Sequence, residues 1–228
     1  MRFAVVNDQR IEASPGAKGL CPACGAEMVA KCGDKNVWHW AHKGRLHCDH
    51  WWENETAWHR AWKSQFPIEW QEVPTRDGTG ELHIADIKRD DGLVVEFQNS
   101  PIKPAEVVTR TRFYGNIVWI INGTRRKSDL PQYREMISYH RPQRFGGVDI
   151  YTVYAHETRL LKEWGSIVPY VGFDFGDDTL CLLTNGQSEL RYLFNIQKDK
   201  FAKMIAEKEP LPVVVLGQPK SNRYRWRR

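Results

Sequence analysis

Two apolar runs, ELHIADIK at 81–88 and LVVEFQ at 93–98, are joined by Asp90-Asp91-Gly92, a spacing that leaves them little choice but an antiparallel hairpin. A three-residue loop sets Arg89 against Leu93 and therefore Asp86 against Glu96. Alternation puts Leu82, Ile84 and Asp86 on one face, with Val94, Glu96 and Gln98 sharing a face across the turn. Like charges directly opposite in a sheet repel. Among aliphatic neighbours, two such carboxylates raise each other's pKa or hold a cation between them. A hard divalent ion bound by oxygen resolves the conflict, and Mg²⁺ fits it.

The flanking segments give the hairpin its setting. FAVV at 3–6 reads as a short strand, residues 52–66 as a helix stopped by Pro67, and IEWQEV at 68–73 as a strand. PAEVVTRTRFY at 104–114 reads as a helix entered at a proline, and NIVWIIN at 116–122 as a buried strand between two glycines. The order is helix, three strands, helix, strand. On the first helix, Glu55, His59 and Lys63 recur at i, i+4, i+8 as a polar stripe, beside an apolar stripe of Trp58, Trp62 and Phe66. Residues 126–147 read as a polar connection. Four short strands and a helix over 197–208 are expected beyond it, then a basic, aromatic tail. In that tail, NRYRWRR at 222–228 is able to contact phosphates and stack on bases, or simply to solubilise the chain end.

Residues 20–50 carry a different chemistry. Cys21 and Cys24 form a CxxC followed by Gly25, HWAH supplies His39 and His42, and Cys48 follows. Zinc takes four of these five as a structural site, and Cys32 is spare. The start MRFAVVNDQR has no apolar core segment and VVVL at 213–216 is too short to span a bilayer, so a cytoplasmic protein is expected, with thiols ligating metal rather than forming disulfides. A net charge of +5 suits a nucleic-acid partner without requiring one.

CPACG, HWAH, Cys48, ENE at 53–55, His59, Lys63, Ala85-Asp86 and EFQNS occur in the order seen in the competence protein CoiA-like family, and RTRFY and VWIING extend the likeness through the first half of the chain. The family looks like a zinc-ribbon-like segment joined to a PD-(D/E)XK nuclease core. The resemblance implies an α+β or α/β, restriction-endonuclease-like fold: a zinc segment at 1–50, a nuclease core at 51–125 and a β-rich region at 126–228. It implies that Asp86 and Glu96 hold a catalytic Mg²⁺ or Mn²⁺, and that Glu55 is an acid borne on the helix. His59 becomes a proton carrier or phosphate contact. Gln98 stands where the wider superfamily has Lys, and it or Lys63 positions a water. Arg110 and Tyr114 reach a phosphate. The implied function is metal-dependent hydrolysis of DNA in uptake, recombination or defence.

Two other functions are open. One is a zinc-stabilised DNA-binding protein without catalysis. The other is an HNH-like nuclease using His50, Asn54 and His59, which lacks the strand pair needed around its first His. Residues 126–228 can read substrate, bind a protein partner or fold back as extra sheet.

Overall fold

The computed structural model describes residues 1–44, 48–165, 170–185 and 189–212. The tail at 222–228 lies outside them. Five strands build a small antiparallel sheet: β1 (Phe3–Val6), β2 (Gln9–Glu12), β3 (Lys18–Leu20), β4 (Glu27–Lys31) and β5 (His39–His42), in the order β2-β1-β3-β4-β5. Asn7 and Asp8, both left-handed at φ 49° and 62°, close the β1–β2 hairpin in the way two-residue turns favour. Its core is slight: Met1, Ala4, Ala13, Cys21, Met28 and Trp40.

The rest of the described chain forms one nine-stranded sheet with helices on both faces. The expected series appears as α1 (Ala57–Lys63), β6 (Gln71–Arg76), β7 (Leu82–Lys88), β8 (Val94–Gln98), α2 (Pro104–Tyr114) and β9 (Ile117–Asn122). Then come α3 (Asp129–Tyr139), β10 (Gln143–Phe145), β11 (Val148–Tyr154), α4 (Arg159–Trp164), β12 (Tyr170–Asp174), β13 (Thr179–Asn185), β14 (Leu190–Gln197) and α5 (Lys198–Ala206). The sheet order is β10-β11-β14-β13-β12-β9-β8-β7-β6, with β9 parallel to both β8 and β12. Trp62 of α1, Phe66 just beyond its end, and Phe201 and Ile205 of α5 pack on one face. Val107 of α2, Met136 of α3 and Trp164 of α4 pack on the other. Among the described residues, no helix is long and apolar enough to cross a membrane.

Four expectations change. IEWQEV at 68–73 opens as a 3-10 turn over Ile68–Trp70, and the strand runs Gln71–Arg76 instead. The first helix runs over 57–63, not 52–66, because Thr56 accepts the His59 N–H and His59 returns the bond to the Thr56 N–H, a capping box that fixes the start. Glu55 therefore precedes the helix and is not part of its stripe. Residues 129–139, expected as polar connection, form α3, whose inward residues Tyr133, Met136 and Ile137 recur at helical spacing. Residues 159–164 form α4, a further helix absent from the expected order.

Candidate functional site

The hairpin closes as its loop length requires. Arg89 donates its N–H to Leu93 O at 2.9 Å, and the ladder pairs Lys88 with Val94 and Ile87 with Val95. One step further, where Asp86 meets Glu96, the ladder gives way. Glu96 Oε1 accepts the Asp86 N–H at 3.1 Å, and Asp86 Oδ2 accepts the Phe97 N–H at 3.0 Å. Each carboxylate thus takes an N–H that its neighbour's strand would have given to a carbonyl. On the other side, β6 pairs Gln71 with Ile87 and Val73 with Ala85, which sets Glu72 level with Asp86. Glu72, Asp86 and Glu96 therefore occupy one row across three strands.

Lys63, 3% exposed, enters this row from α1. Its Nζ lies 3.0 Å from Glu55 Oε1, 3.1 Å from Glu72 Oε1 and 3.4 Å from Asp86 Oδ1. Although burial works the other way, Glu72, Asp86 and Glu55 push the Lys63 ammonium up and keep it charged. Glu72 is also buried. Against that burial, Lys63 and the backbone N–H groups of Arg2 and Phe3 hold its carboxyl down to about 2. Its backbone sits at φ 48°, an uncommon conformation for a non-glycine residue. Glu96 behaves oppositely. Burial and the nearby Asp86 push it well above the carboxylate range, and Arg110, 3.9 Å away, offsets this only in part.

Around the row, His59 is sealed. Thr56 N–H donates to its Nδ1 at 3.2 Å, so the Nε2–H donates to Phe97 O at 3.1 Å, and the ring holds α1 against β8. Gln98 donates to Glu53 Oε2 at 2.6 Å, and Glu53 Oε1 accepts the N–H groups of Asn99 and Ser100. Burial pushes the Glu53 carboxyl up. Arg110 bonds Trp51 O at 2.8 Å and also Glu106. Asp86, Glu96, Glu55, Glu53, Lys63, His59, Arg110 and Tyr114 all line one cavity, while Gln98 reaches it only through Glu53. Glu53 and Glu72 are the residues that sequence reasoning passed over. ENE at 53–55 points to Glu53, whereas nothing in the sequence distinguishes Glu72 from any other polar strand residue. Of the residues in the HNH-like alternative, His50 lies beside Asp49 and His83, whereas His59 is bonded to Phe97 O.

In the small sheet, the Sγ atoms of Cys21, Cys24 and Cys48 and a ring nitrogen of His42 gather within 4.8 Å of one another. The Cys21 and Cys48 sulfurs are 3.7 Å apart, and Cys24 Sγ is 3.4 Å from His42 Nε2. Burial, then the neighbouring Cys21, push the Cys48 thiol up, as expected of clustered thiols that ionise together only around a cation. Three thiols and an imidazole suit a structural zinc. Among the five candidates, His39 falls outside the set, with its Nδ1 2.9 Å from Val37 O.

No curated protein and no solved structure matches the chain. Residues 7–50 match the family model described as competence protein CoiA, N-terminal domain, and this segment, similar to that domain, holds all four gathered ligands.

Proposed function

We propose that this chain is a divalent-metal-dependent nuclease that hydrolyses phosphodiester bonds in DNA, acting in DNA uptake or recombination, with zinc fastening its N-terminal sheet. The observation that carries the reading is the row of acids: Asp86 and Glu96 face each other where the ladder opens, on a shared cavity. The donor set is all oxygen, which suits a hard cation. Asp86 and Glu96 would hold Mg²⁺ or Mn²⁺, with Glu55 alongside, and the ion would supply Lewis acidity for the hydrolysis.

The protein groups have separable tasks. Lys63 neutralises the acids between turnovers and offers an ammonium to a phosphate oxygen. Arg110 balances charge at Glu96. His59 keeps the Phe97 carbonyl and α1 in place, which makes it a positioning residue. Gln98 fixes Glu53 through its amide, a task that a lysine would change.

The alternative is a zinc-stabilised DNA-binding protein without catalysis. It draws on the Lys63 ammonium, which already compensates Glu55 and Asp86. A cleavage assay on labelled single- and double-stranded DNA, with Mg²⁺, Mn²⁺ or chelator, separates the two. Metal-dependent cutting that is lost in Asp86→Asn and Glu96→Gln supports the nuclease. DNA binding without cutting under every metal condition supports the alternative.

A further inference from the structure

The connection between the cysteine cluster and β7 carries a second group of metal-type donors. Asp49, His50 and His83 bring one ligand atom each to within 4.8 Å of one another. His83 has no exposed surface. Its ring stacks on Trp51 with centroids 3.1 Å apart and meets Phe113 edge-on, so its orientation is fixed. Nδ1 lies 2.8 Å from Asp49 Oδ1, and Nε2 lies 2.9 Å from Glu81 Oε1. A neutral imidazole has one N–H and cannot donate to both carboxylates. With the Nε2–H given to Glu81, the Nδ1 lone pair faces an anionic oxygen, and a cation belongs between them.

A proton would satisfy those two groups alone. His50 adds what a proton does not need: an exposed imidazole whose centroid is 4.9 Å from that of His83. Asp49 is held in place independently of His83, since Oδ1 accepts the Trp51 N–H at 2.9 Å and Oδ2 the Ile84 N–H at 2.8 Å. We infer that Asp49, His50 and His83 form a second metal site, separate from the thiol set, that takes a first-row transition ion such as Zn²⁺ or Co²⁺. One carboxylate and two imidazoles are borderline donors suited to such ions. Glu81 on the far nitrogen completes the arrangement in which a carboxylate fixes the tautomer of a ligating histidine. Donors at about 2.0–2.2 Å from an ion require Asp49 and His83 to part by a few tenths of an ångström. The exposed His50 gives the ion its entry. Cys48 belongs to the thiol set and residues 49 and 50 to this one, so two ions together pin the connection to the strand that carries Asp86. The inference does not depend on nuclease activity.

Titration calorimetry of the full chain carrying one equivalent of Zn²⁺, with Co²⁺ as the probe, tests it. The thiols are then filled, and uptake at nitrogen and oxygen adds no sulfur-to-cobalt charge-transfer band. One His50-dependent equivalent is expected: present in the wild type and in Asp86→Asn, absent in His50→Ala. The cobalt-free melting temperature of His50→Ala should match the wild type, because the side chain is exposed. Glu81→Gln should weaken Co²⁺ binding by about 10–100-fold. Uptake in Asp86→Asn that survives when His50→Ala is added to it, or that is missing from Asp86→Asn, overturns the inference. So does the absence of Co²⁺ uptake, which would leave Asp49 and His83 sharing a proton.

Discussion

At the scale of single residues, Lys63 organises the acids. Among the described residues it is the one ammonium that Glu55, Glu72 and Asp86 all reach, and Glu72 in turn holds the N–H groups of Arg2 and Phe3. Glu72→Gln removes a buried partner and should cost about 3 kcal/mol at neutral pH. The sign follows from the lowered pKa. Glu72 falls from 4.5 to about 2 on folding, so its stabilisation is complete above 4.5 and is lost as pH drops through about 2. The gap between wild type and Glu72→Gln should therefore be constant from pH 6 to 8 and close as pH falls toward 2. Denaturant unfolding across that range checks it, and a pH-independent gap would assign the loss to packing. At Asp86 and Glu96 the expectation is different. Asn and Gln keep a carbonyl oxygen for the Phe97 and Asp86 N–H groups, so the fold survives while like-charge repulsion ends. Metal-free Asp86→Asn and Glu96→Gln should melt at or slightly above the wild type, and Mg²⁺ should raise the wild type alone. Early melting of both variants would make the acids structural. The facing of Asp86 and Glu96 was legible because loop length alone sets hairpin register. Glu72 was not, because its place in the row depends on β6 pairing with β7 and on a left-handed backbone that no local pattern announces.

At the scale of elements, the proposed zinc would help to order the small sheet. Its buried cluster is Met1, Ala4, Ala13, Cys21, Met28 and Trp40, with half-buried residues such as Val6, Ile11 and Ile84 around it, a small core for five short strands. The sheet is fastened to the large one by polar contacts, including Arg2 to Gln71 at 3.0 Å and Arg10 to Gln71 O at 2.7 Å. Stripping zinc, or making the Cys21→Ser/Cys24→Ser variant, should release amide protection in β1–β5 while β8, β9 and β12–β14 stay protected. Hydrogen exchange reads this directly. Unchanged protection in β1–β5, with zinc content unchanged, would remove the zinc assignment. The same elements mark the limit of local patterns. CxxC spacing announced the ligands, yet the exclusion of His39 in favour of His42 depends on how β5 pairs with β4. Thr56, rather than the tryptophans at 51 and 52, sets where α1 begins. The polar face of α3 concealed a helix whose inward face meets a layer formed by distant strands.

At the scale of the whole molecule, the first and second halves share one sheet. Among the three sequence options for residues beyond 125, the described part takes the one in which the chain folds back as extra sheet. Nothing local announces it, because β12 lies parallel to β9 across some fifty residues of chain, and Gly172 faces Ile120 there so closely that a Cβ would meet Ile120 Cδ1 at 2.9 Å. Asp174, at the end of β12 and 3% exposed, ties the halves together. Its Oδ2 accepts the indole N–H groups of Trp58 at 2.9 Å and Trp62 at 2.8 Å, and its Oδ1 meets Lys198 Nζ at 2.6 Å. The helix that carries Lys63 to the acids is thus braced by a residue more than a hundred positions away. Asp174→Ala leaves two indole donors and an ammonium without their acceptor and should cost about 3 kcal/mol. It should also lower metal affinity at Asp86 and Glu96 while touching neither, because α1 loses its brace. A chain ending at residue 125 exposes the β9 edge and half of both apolar layers, so it should lack a cooperative thermal transition. Melting curves for both variants, with Mg²⁺ titrated against Asp174→Ala, decide the matter. If the truncated chain unfolds cooperatively and Asp174→Ala binds Mg²⁺ as the wild type does, the first half is an independent module and the remainder of the chain is not what holds the acids in place.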